Sequence, residues 1–254
     1  MHRFTIAPQR LQGDRVTFDR EETRHLARVL RLGPGDVVLA TDGAGHEFRV
    51  RVEALGDEAS GTVLATAVRG AESPLAVTLI QGVPKGDKME TIVRACTELG
   101  VARIRPVLTE RTIVRLEPSR WRERARRWQR VAREATKQCG RGAVPDVDVP
   151  VTLTDAVGGD HGDVGLCLWE AATVSLADAL QPFAAPPSSL SIVVGPEGGL
   201  ARAEVEVARS HGYAVVGLGP RILRTETAAP AVLAILQSRY GDLGAGTAVR
   251  ADAP

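Results

Sequence analysis

Two glycine-rich segments near the end of the chain carry residue types that can bind and activate a small ligand. Each follows an apolar run: SIVVGPEGGL spans 191–200 and VVGLGPRILRTETAA spans 215–229. A glycine turn between a strand and a helix exposes backbone amides, and ligands of open α/β sheets bind at that edge. Glu197 and Glu226 add carboxylates, and Arg221 and Arg224 add cations. Together the segments predict one shared ligand site, although either alone is typical of a tight strand-to-helix turn.

Common nucleotide-binding and hydrolytic motifs do not account for these glycines. Gly217 and Gly219 begin a GxGxxG pattern, but Ile222 stands at its third glycine, and no GK[ST] follows Gly82. The five histidines show no metal-ligand spacing such as HExxH, and no serine lies in a G-x-S-x-G turn. The sequence therefore argues against NAD, ATP and a catalytic metal, and hydrolysis is a weak interpretation.

Positive charge is concentrated in one stretch, although the net charge is only +1. Between 103 and 141 there are 13 Arg and Lys residues against 4 Glu, a local balance of +9. Arg24, Arg28 and Arg31 form a second basic set at near-helical spacing. Two such surfaces are typical of proteins that follow nucleic-acid phosphates, and they favour RNA over a small acidic ligand. The alternative is a solvated, arginine-rich helix face.

The composition is that of a folded globular protein, with 254 residues, 44% hydrophobic and 25% charged. Cys96, Cys139 and Cys167 are widely spaced and odd in number, so neither a disulfide framework nor a cysteine zinc site is predicted. The sequence shows neither a signal peptide nor a run of about 18 uncharged apolar residues. We therefore expect a soluble, cytoplasmic protein without contact to a membrane.

Short alternating segments predict a mostly β structure for about the first seventy residues. Strands are expected at Arg15–Phe18, Asp36–Thr41, His46–Leu55 and Gly61–Val68, with DGAG at 42–45 as a hairpin turn. A helix over 21–32 interrupts them, with Leu26, Val29 and Leu30 on one apolar face. The pattern changes near Ala71–Pro74, which predicts a domain boundary there.

From Leu75 onward, apolar runs alternate with longer helical segments, which predicts an α/β domain around a mostly parallel sheet. Strands are expected at Leu75–Gln81, Arg103–Leu108, Val164–Trp169, Leu190–Gly195 and Ala214–Gly219. Helices are expected from Asp87 to Gly100, from about Pro118, and at Ser175–Gln181, Arg202–His211 and Thr227–Tyr240. Asp87 and Glu90 suggest a capping box for the first helix, and the spacing of Trp121 and Trp128 places them in the core.

The chain closely resembles the ribosomal RNA small-subunit methyltransferase E family, bacterial enzymes of the knotted SPOUT class, over nearly its whole length. The motifs that match the family most specifically are VVGPEGGL at 193–200 and LGPRILRTETAA at 218–229. Further motifs that match the family are RFTIAP near the start, HLARVLRLGPGD at 25–36, KGDKMETIVRACTELGV at 85–101 and EATKQCGRGAVP at 134–145. One departure is Ala201, where the family often has a Ser, which predicts a looser start of the following helix.

The resemblance implies a small PUA-like β-barrel that binds RNA over 1–71, a SPOUT α/β domain with a C-terminal trefoil knot over 72–244, and a flexible tail over 245–254. It also implies a homodimer that transfers a methyl group from S-adenosylmethionine to N3 of one uridine in small-subunit ribosomal RNA. The assembled small subunit is the expected substrate. The periodicity of the sequence alone shows neither the knot nor the target.

Site residues follow from the same resemblance, position by position. For the cofactor it implies Leu168, Gly195, Pro196, Glu197, Gly198, Gly199, Leu218, Gly219, Ile222, Leu223 and Arg224. For RNA we expect the polar residues of the other motifs, namely Arg3, Arg28, Arg31, Lys85, Lys88, Gln138 and Arg141.

The chemistry of uracil N3 requires a proton acceptor and cations, because attack through N3 follows loss of the imide proton and places negative charge on O2 and O4. We expect Arg224 to polarise a carbonyl and either Glu197 or Glu226 to take the proton or to orient an arginine, and the sequence does not rank the two. Placement of N3 in line with the methyl group is the alternative source of the rate. Two other functions stay open: a non-catalytic RNA-binding protein, and a related methyltransferase with another target.

Overall fold

The computed structural model describes residues 1–43, 45–68, 72–181 and 185–244. Residue contacts divide the chain into two compact units, an N-terminal unit of 1–72 and 133–144 and a C-terminal unit that holds the rest. The predicted hairpin turn and the predicted domain boundary fall partly outside the described residues. The predicted tail, 245–254, lies wholly outside them. The domain limits at 71 and 244 stay predictions.

The sheet of the N-terminal unit has six strands in the order β1-β4-β5-β6-β3-β2. They are β1 (Arg3–Thr5), β2 (Leu11–Gln12), β3 (Arg15–Thr17), β4 (Val37–Thr41), β5 (His46–Ala54) and β6 (Ser60–Val68). β1 and β4 run parallel, and the other neighbours are antiparallel. Alternate residues face an apolar core that contains Phe4, Phe18 and Phe48. The predicted β-rich N-terminal part is confirmed.

The helix predicted at 21–32 is wrong in its second half. A short helix, α1 (Arg20–Arg24), passes into one π-helical turn over His25–Val29, in which the Leu30 amide donates to the His25 carbonyl. A π turn is wider than an α turn, so it rotates later side chains away from the 3.6-residue pattern. Leu26 is therefore buried as expected, whereas Val29 is 67% exposed.

The C-terminal unit contains a sheet whose strand pairs are all parallel, in the order β10-β8-β7-β12-β11-β13, with β9 beside β8. The strands are β7 (Ala76–Gly82), β8 (Val101–Leu108), β9 (Asp146–Val147), β10 (Val151–Thr152), β11 (Val164–Leu168), β12 (Ser189–Val194) and β13 (Tyr213–Val216). The five predicted strands are confirmed. β9 and β10 have two residues each and were not predicted.

Helices connect the strands of this unit. They are α2 (Lys88–Glu98), α3 (Pro118–Cys139), α4 (Leu153–Val157), α5 (Leu176–Ala179), α6 (Arg202–Ser210) and α7 (Thr225–Tyr240). β12 is buried along nearly its whole length, as parallel strands covered on both faces require. The parallel α/β core agrees with the predicted class, and the trefoil knot stays a prediction.

Some predicted helix starts are wrong in detail. Asp87 precedes α2, but its side chain makes no capping hydrogen bond, and Glu90 instead pairs with Arg127 at 2.7 Å. α7 begins at Thr225, two residues before its predicted start. The alanine at 201 does not loosen the start of α6, because Glu204 Oε2 accepts a hydrogen bond from the Ala201 amide at 2.9 Å.

Candidate active site

The first glycine loop leaves the end of β12 in a compact turn. The Gly199 amide donates to the Pro196 carbonyl at 2.9 Å, and Gly199 has a φ of +70°, which favours glycine. A Cβ atom at Gly195 would lie 2.8 Å from the Gly199 carbonyl carbon, so the loop folds back on itself more closely than a side chain permits. Gly82, in β7, approaches the same loop as closely, because a Cβ atom there would lie 2.5 Å from Pro196 Cδ.

The second glycine loop follows β13 and ends where α7 begins. The Gly217 amide donates to the Val174 carbonyl at 2.9 Å, which anchors the loop at its start. Arg224 caps α7 through its carbonyl, which accepts bonds from the amides of Thr227 and Ala228 at 2.8 Å. Between these anchors, Gly219 has a φ of +113° and Ile222 is 85% exposed.

The two loops enclose a cavity of about 610 Å³, a volume typical of small-ligand sites. Glu226, Lys85 and Lys88 line this cavity. All residues predicted to bind the cofactor line it as well, namely Leu168, Gly195, Pro196, Glu197, Gly198, Gly199, Leu218, Gly219, Ile222, Leu223 and Arg224. The structure thus brings together segments that lie up to about 140 residues apart in the sequence.

A buried polar network ties the two loops together beneath the cavity. The Gln81 side chain, which is fully buried, donates to the Gly82 carbonyl and to Thr225 Oγ1, both at 2.9 Å. Thr225 Oγ1 donates in turn to the Gly195 carbonyl at 2.7 Å. These bonds fix the start of α7 relative to the first glycine loop.

Lys88 joins the two candidate catalytic carboxylates. Its Nζ lies 3.0 Å from Glu197 Oε1 and 3.6 Å from Glu226 Oε2. The Lys85 amide donates to both oxygens of Glu197, at 3.2 and 3.3 Å. Partial burial opposes ionisation of Glu197, but backbone amides and Lys88 outweigh it, so the pKa of Glu197 is held below its ordinary value.

Glu226 has a different environment from Glu197. Its Oε2 atom is buried and accepts no hydrogen bond from the described residues, with Lys88 just beyond hydrogen-bond distance. Hydrogen bonds to a carboxylate favour its charged form, and Oε2 of Glu226 receives none from the described residues. The two carboxylates, which the sequence left equal, therefore differ in their hydrogen bonding.

Sequence reasoning missed three residues at this site. Trp169 and Glu170 line the cavity directly after β11. Arg111 donates to the Gly198 carbonyl at 2.6 Å, and its side chain covers that glycine. The position of Glu170 just past a predicted strand is a signal that could have identified it, because ligands bind at the carboxyl ends of parallel strands. Arg111 carries no such local signal.

The residues predicted to bind RNA are distributed over both units. Lys85 and Lys88 line the cavity, and Lys88 is held by carboxylates. The other five belong to the N-terminal unit: Arg3, Arg28, Arg31, Gln138 and Arg141. Arg28, Arg31 and Gln138 are exposed, and Arg3 lies 3.5 Å from Glu47. Arg141 donates to Glu72 at 2.6 Å, so its guanidinium supports the fold of this unit.

Within the described ranges, no group of three or more His, Cys, Asp or Glu residues is placed to hold a metal ion. No helix in the same ranges is both long and apolar enough to span a bilayer.

Comparison with known proteins identifies the class to which this fold and site belong. A family described as RNA methyltransferase domain matches residues 71–237, and one described as RNA methyltransferase PUA domain matches 18–60. The first match covers more than half of the chain. The class is therefore that of RNA methyltransferases with a PUA domain.

Individual relatives narrow the class. Ribosomal RNA small subunit methyltransferase E of Synechocystis sp. is 37% identical, over 92% of this chain and 76% of the relative. The Bacillus subtilis protein of the same name is 34% identical, over 82% and 84%. The crystal structure of the Neisseria gonorrhoeae protein of that name, bound to S-adenosyl methionine, has a TM-score of 0.85 and 34% identity, covering 95% of this chain and 99% of that one. This chain belongs to the ribosomal RNA small subunit methyltransferase E family.

Proposed function

We propose that this protein transfers the methyl group of S-adenosylmethionine to N3 of one uridine in small-subunit ribosomal RNA. The observation that carries the proposal is the cavity between the two glycine loops, which places an accessible arginine and two unequal carboxylates beside backbone groups suited to a nucleoside-containing cofactor. Family membership supports methyl transfer to ribosomal RNA. The choice of N3 rests on the resemblance to the family, and a carboxylate beside an arginine is compatible with removal of the imide proton.

The residues of the cavity fit S-adenosylmethionine. Leu168 and Leu223 offer apolar surface for an adenine ring, and the loops at 195–199 and 217–220 offer peptide groups for its polar edge. Three carboxylates, Glu170, Glu197 and Glu226, provide negative charge for a ligand with a sulfonium and an ammonium group. When bound, the cofactor supplies an electrophilic methyl group.

Glu226 is the proton acceptor in this proposal. N3 of uridine loses its proton to the carboxylate of Glu226, whose side chain lines the cavity, and forms a bond to the methyl carbon while the bond from that carbon to sulfur breaks. Glu197 stays ionised and holds Lys88 and the Lys85 amide in place, because its oxygens already accept bonds from both. Its lowered pKa makes it a poor base.

Arg224 stabilises the negative charge that develops on a uracil carbonyl. It lies at the N-terminus of α7, is exposed and lines the cavity. A guanidinium placed beside the reacting carbonyl stabilises the charge that develops there. The target uridine must be unpaired, because base pairing hides the edge that carries N3.

Binding of the RNA uses Arg3, Arg28, Arg31, Lys85 and Gln138 in this proposal, mainly through phosphates. The protein acts as a homodimer in the cytoplasm on the assembled small subunit, and its C-terminal segment forms a trefoil knot. Light scattering of the purified protein tests the dimer, since a monomer at working concentration contradicts it.

The decisive experiment supplies labelled S-adenosylmethionine with unmodified small subunits, with naked small-subunit RNA and with large subunits, followed by nucleoside analysis. We expect 3-methyluridine from the small-subunit samples alone. Label in another nucleoside refutes the N3 assignment and leaves methyl transfer intact. Absence of label together with absence of cofactor binding refutes the enzymatic function.

Variants separate the roles of the side chains. Glu226→Gln is expected to lower kcat by about 100-fold or more with little change in cofactor affinity, as loss of a general base does. Glu197→Gln is expected to weaken binding and to lower kcat less. Arg224→Ala is expected to reduce turnover far more than cofactor affinity. Equal losses in both quantities for Arg224→Ala contradict its role in catalysis.

A further inference from the structure

The exposed face of α3 carries three arginines in one row. Arg122, Arg126 and Arg130 are spaced by four residues, so they lie about 6 Å apart along the helix axis and within an arc of about 80°. All three side chains are exposed. We call these three residues the α3 arginine row.

The opposite face of α3 fixes the orientation of the row. Trp121, Ala125 and Trp128 are buried, at 5%, 4% and 2% exposure, and the two indole rings lie 6.4 Å apart. A helix with one face locked into the core presents the other at a constant angle. The row is therefore a preformed surface.

Ion pairing distinguishes the row from its neighbour. Arg127 on the same helix binds Glu90 at 2.7 Å and lies 3.9 Å from Asp87, which anchors α3 to α2. No ion pair involves the three row residues within the described parts of the chain. Unpaired guanidiniums in a row attract a polyanion, whereas arginines that satisfy carboxylates serve the fold.

We propose that the α3 arginine row binds the phosphate backbone of the ribosomal RNA substrate, one phosphate to each guanidinium. This inference rests on the proposed function, and within the basic stretch at 103–141 it assigns the contact to three residues that are not among the individual RNA-binding residues named above. A backbone contact of this kind positions the RNA and carries no sequence preference. A negatively charged protein is the competing occupant that charge alone permits.

Salt dependence of RNA binding tests the row. Each neutralised phosphate contributes about 0.7–0.9 to the slope of log affinity against log salt. Changing all three residues to Gln should therefore reduce the slope by about 2–3. Between 50 and 200 mM salt, the affinity of the unsubstituted protein should fall about 20- to 40-fold more than that of the variant. The probe is unmodified small-subunit RNA in a filter-binding assay.

Two controls keep the result specific. Changing the same three residues to Lys retains the charge and should retain most of the slope. Changing Arg202 and Arg209 on α6 to Gln removes exposed charge elsewhere in the same unit and should leave the slope within about 0.5 of its original value. An unchanged slope in the triple Gln variant overturns the inference, whatever the activity of the enzyme.

Failure of this inference can be told from failure of the proposed function. Cofactor binding and 3-methyluridine formation at saturating RNA should be retained in the triple Gln variant, because the row does not line the cavity. If the triple Gln variant has normal RNA affinity and normal activity, RNA binding by the α3 arginine row is refuted and the proposed function stands. If the unsubstituted protein forms no 3-methyluridine, the proposed function fails, while the binding assay still decides the role of the row.

Discussion

Replacement of Thr225 by Val tests whether the buried polar network holds the two glycine loops. Val has nearly the shape of Thr, so the change leaves the packing intact and removes only the hydroxyl. That hydroxyl accepts from Gln81 at 2.9 Å and donates to the Gly195 carbonyl at 2.7 Å, and the residue is 5% exposed. The substitution therefore leaves buried polar groups with fewer partners.

The expected cost follows from these contacts. Loss of a buried partner costs about 1–3 kcal/mol, and among the described residues the Gly195 carbonyl then retains a longer contact of 3.4 Å to the Gln81 side chain. We expect the free energy of unfolding to fall by about 1–3 kcal/mol. Since Gly195 belongs to the cofactor loop, we expect the Kd for S-adenosylmethionine to rise about 5- to 30-fold, which corresponds to about 1–2 kcal/mol.

The matched control is Thr136→Val on α3. Thr136 is also fully buried, but its Oγ1 atom has no hydrogen-bond partner within the described part of the chain. A methyl group there removes an unsatisfied hydroxyl, so stability should stay equal or rise. Urea denaturation and calorimetric titration with the cofactor measure both variants. Equal effects of the two substitutions on stability and on Kd refute the network as the element that holds the loops.

Three further outcomes follow from local geometry. Gly82→Ala should lower the free energy of unfolding by about 1–3 kcal/mol, because its Cβ would lie 2.5 Å from Pro196 Cδ. Gly33→Ala, with open space around it, should leave the stability in thermal denaturation nearly unchanged. Iodoacetamide at pH 8 should modify Cys139 alone, since burial raises the pKa of Cys96 and of Cys167 to about 12; equal labelling of all three by mass spectrometry contradicts this. Lys88→Met should be less stable than the unsubstituted protein at pH 7, because it loses the ion pair with Glu197. The difference in stability should narrow as the pH falls from about 5 to 3, since a carboxylate with a lowered pKa, here Glu197, stabilises the fold only above that range. A difference that does not change with pH contradicts a stabilising Lys88–Glu197 pair.

Local patterns in the sequence were sufficient to locate the loops but not the contacts that fix them. An apolar run followed by glycines predicted both loops, since strand, turn and helix each leave a short-range signal. Gln81 lies 114 residues from Gly195 and 144 from Thr225, and a polar residue at the end of a strand has no distinguishing pattern. Arg111 lies 87 residues from Gly198 and was missed for the same reason.

The π turn at His25–Val29 shows a second limit of prediction from the sequence. The apolar spacing of Leu26, Val29 and Leu30 is consistent with an α-helix, and a single wider turn changes which of them is buried. Such a turn depends on how the segment packs in the N-terminal unit. Periodicity assumes one repeat length throughout, so it cannot register this local change.

Uncharged contacts hold the two glycine loops in place, and charged side chains line the cavity between them. Gly82 and Gly195 let backbone approach backbone more closely than any side chain allows, so main-chain packing sets the path of the first glycine loop. Gln81 and Thr225 lock that path with neutral hydrogen bonds, which cost less to bury than charges. The charged side chains line the cavity, where Lys88 pairs with Glu197 and Oε2 of Glu226 accepts no hydrogen bond from the part of the chain that the structure describes. Close backbone packing and uncharged hydrogen bonds therefore hold the two loops, while the charged side chains of Lys88, Glu197 and Glu226 line the cavity.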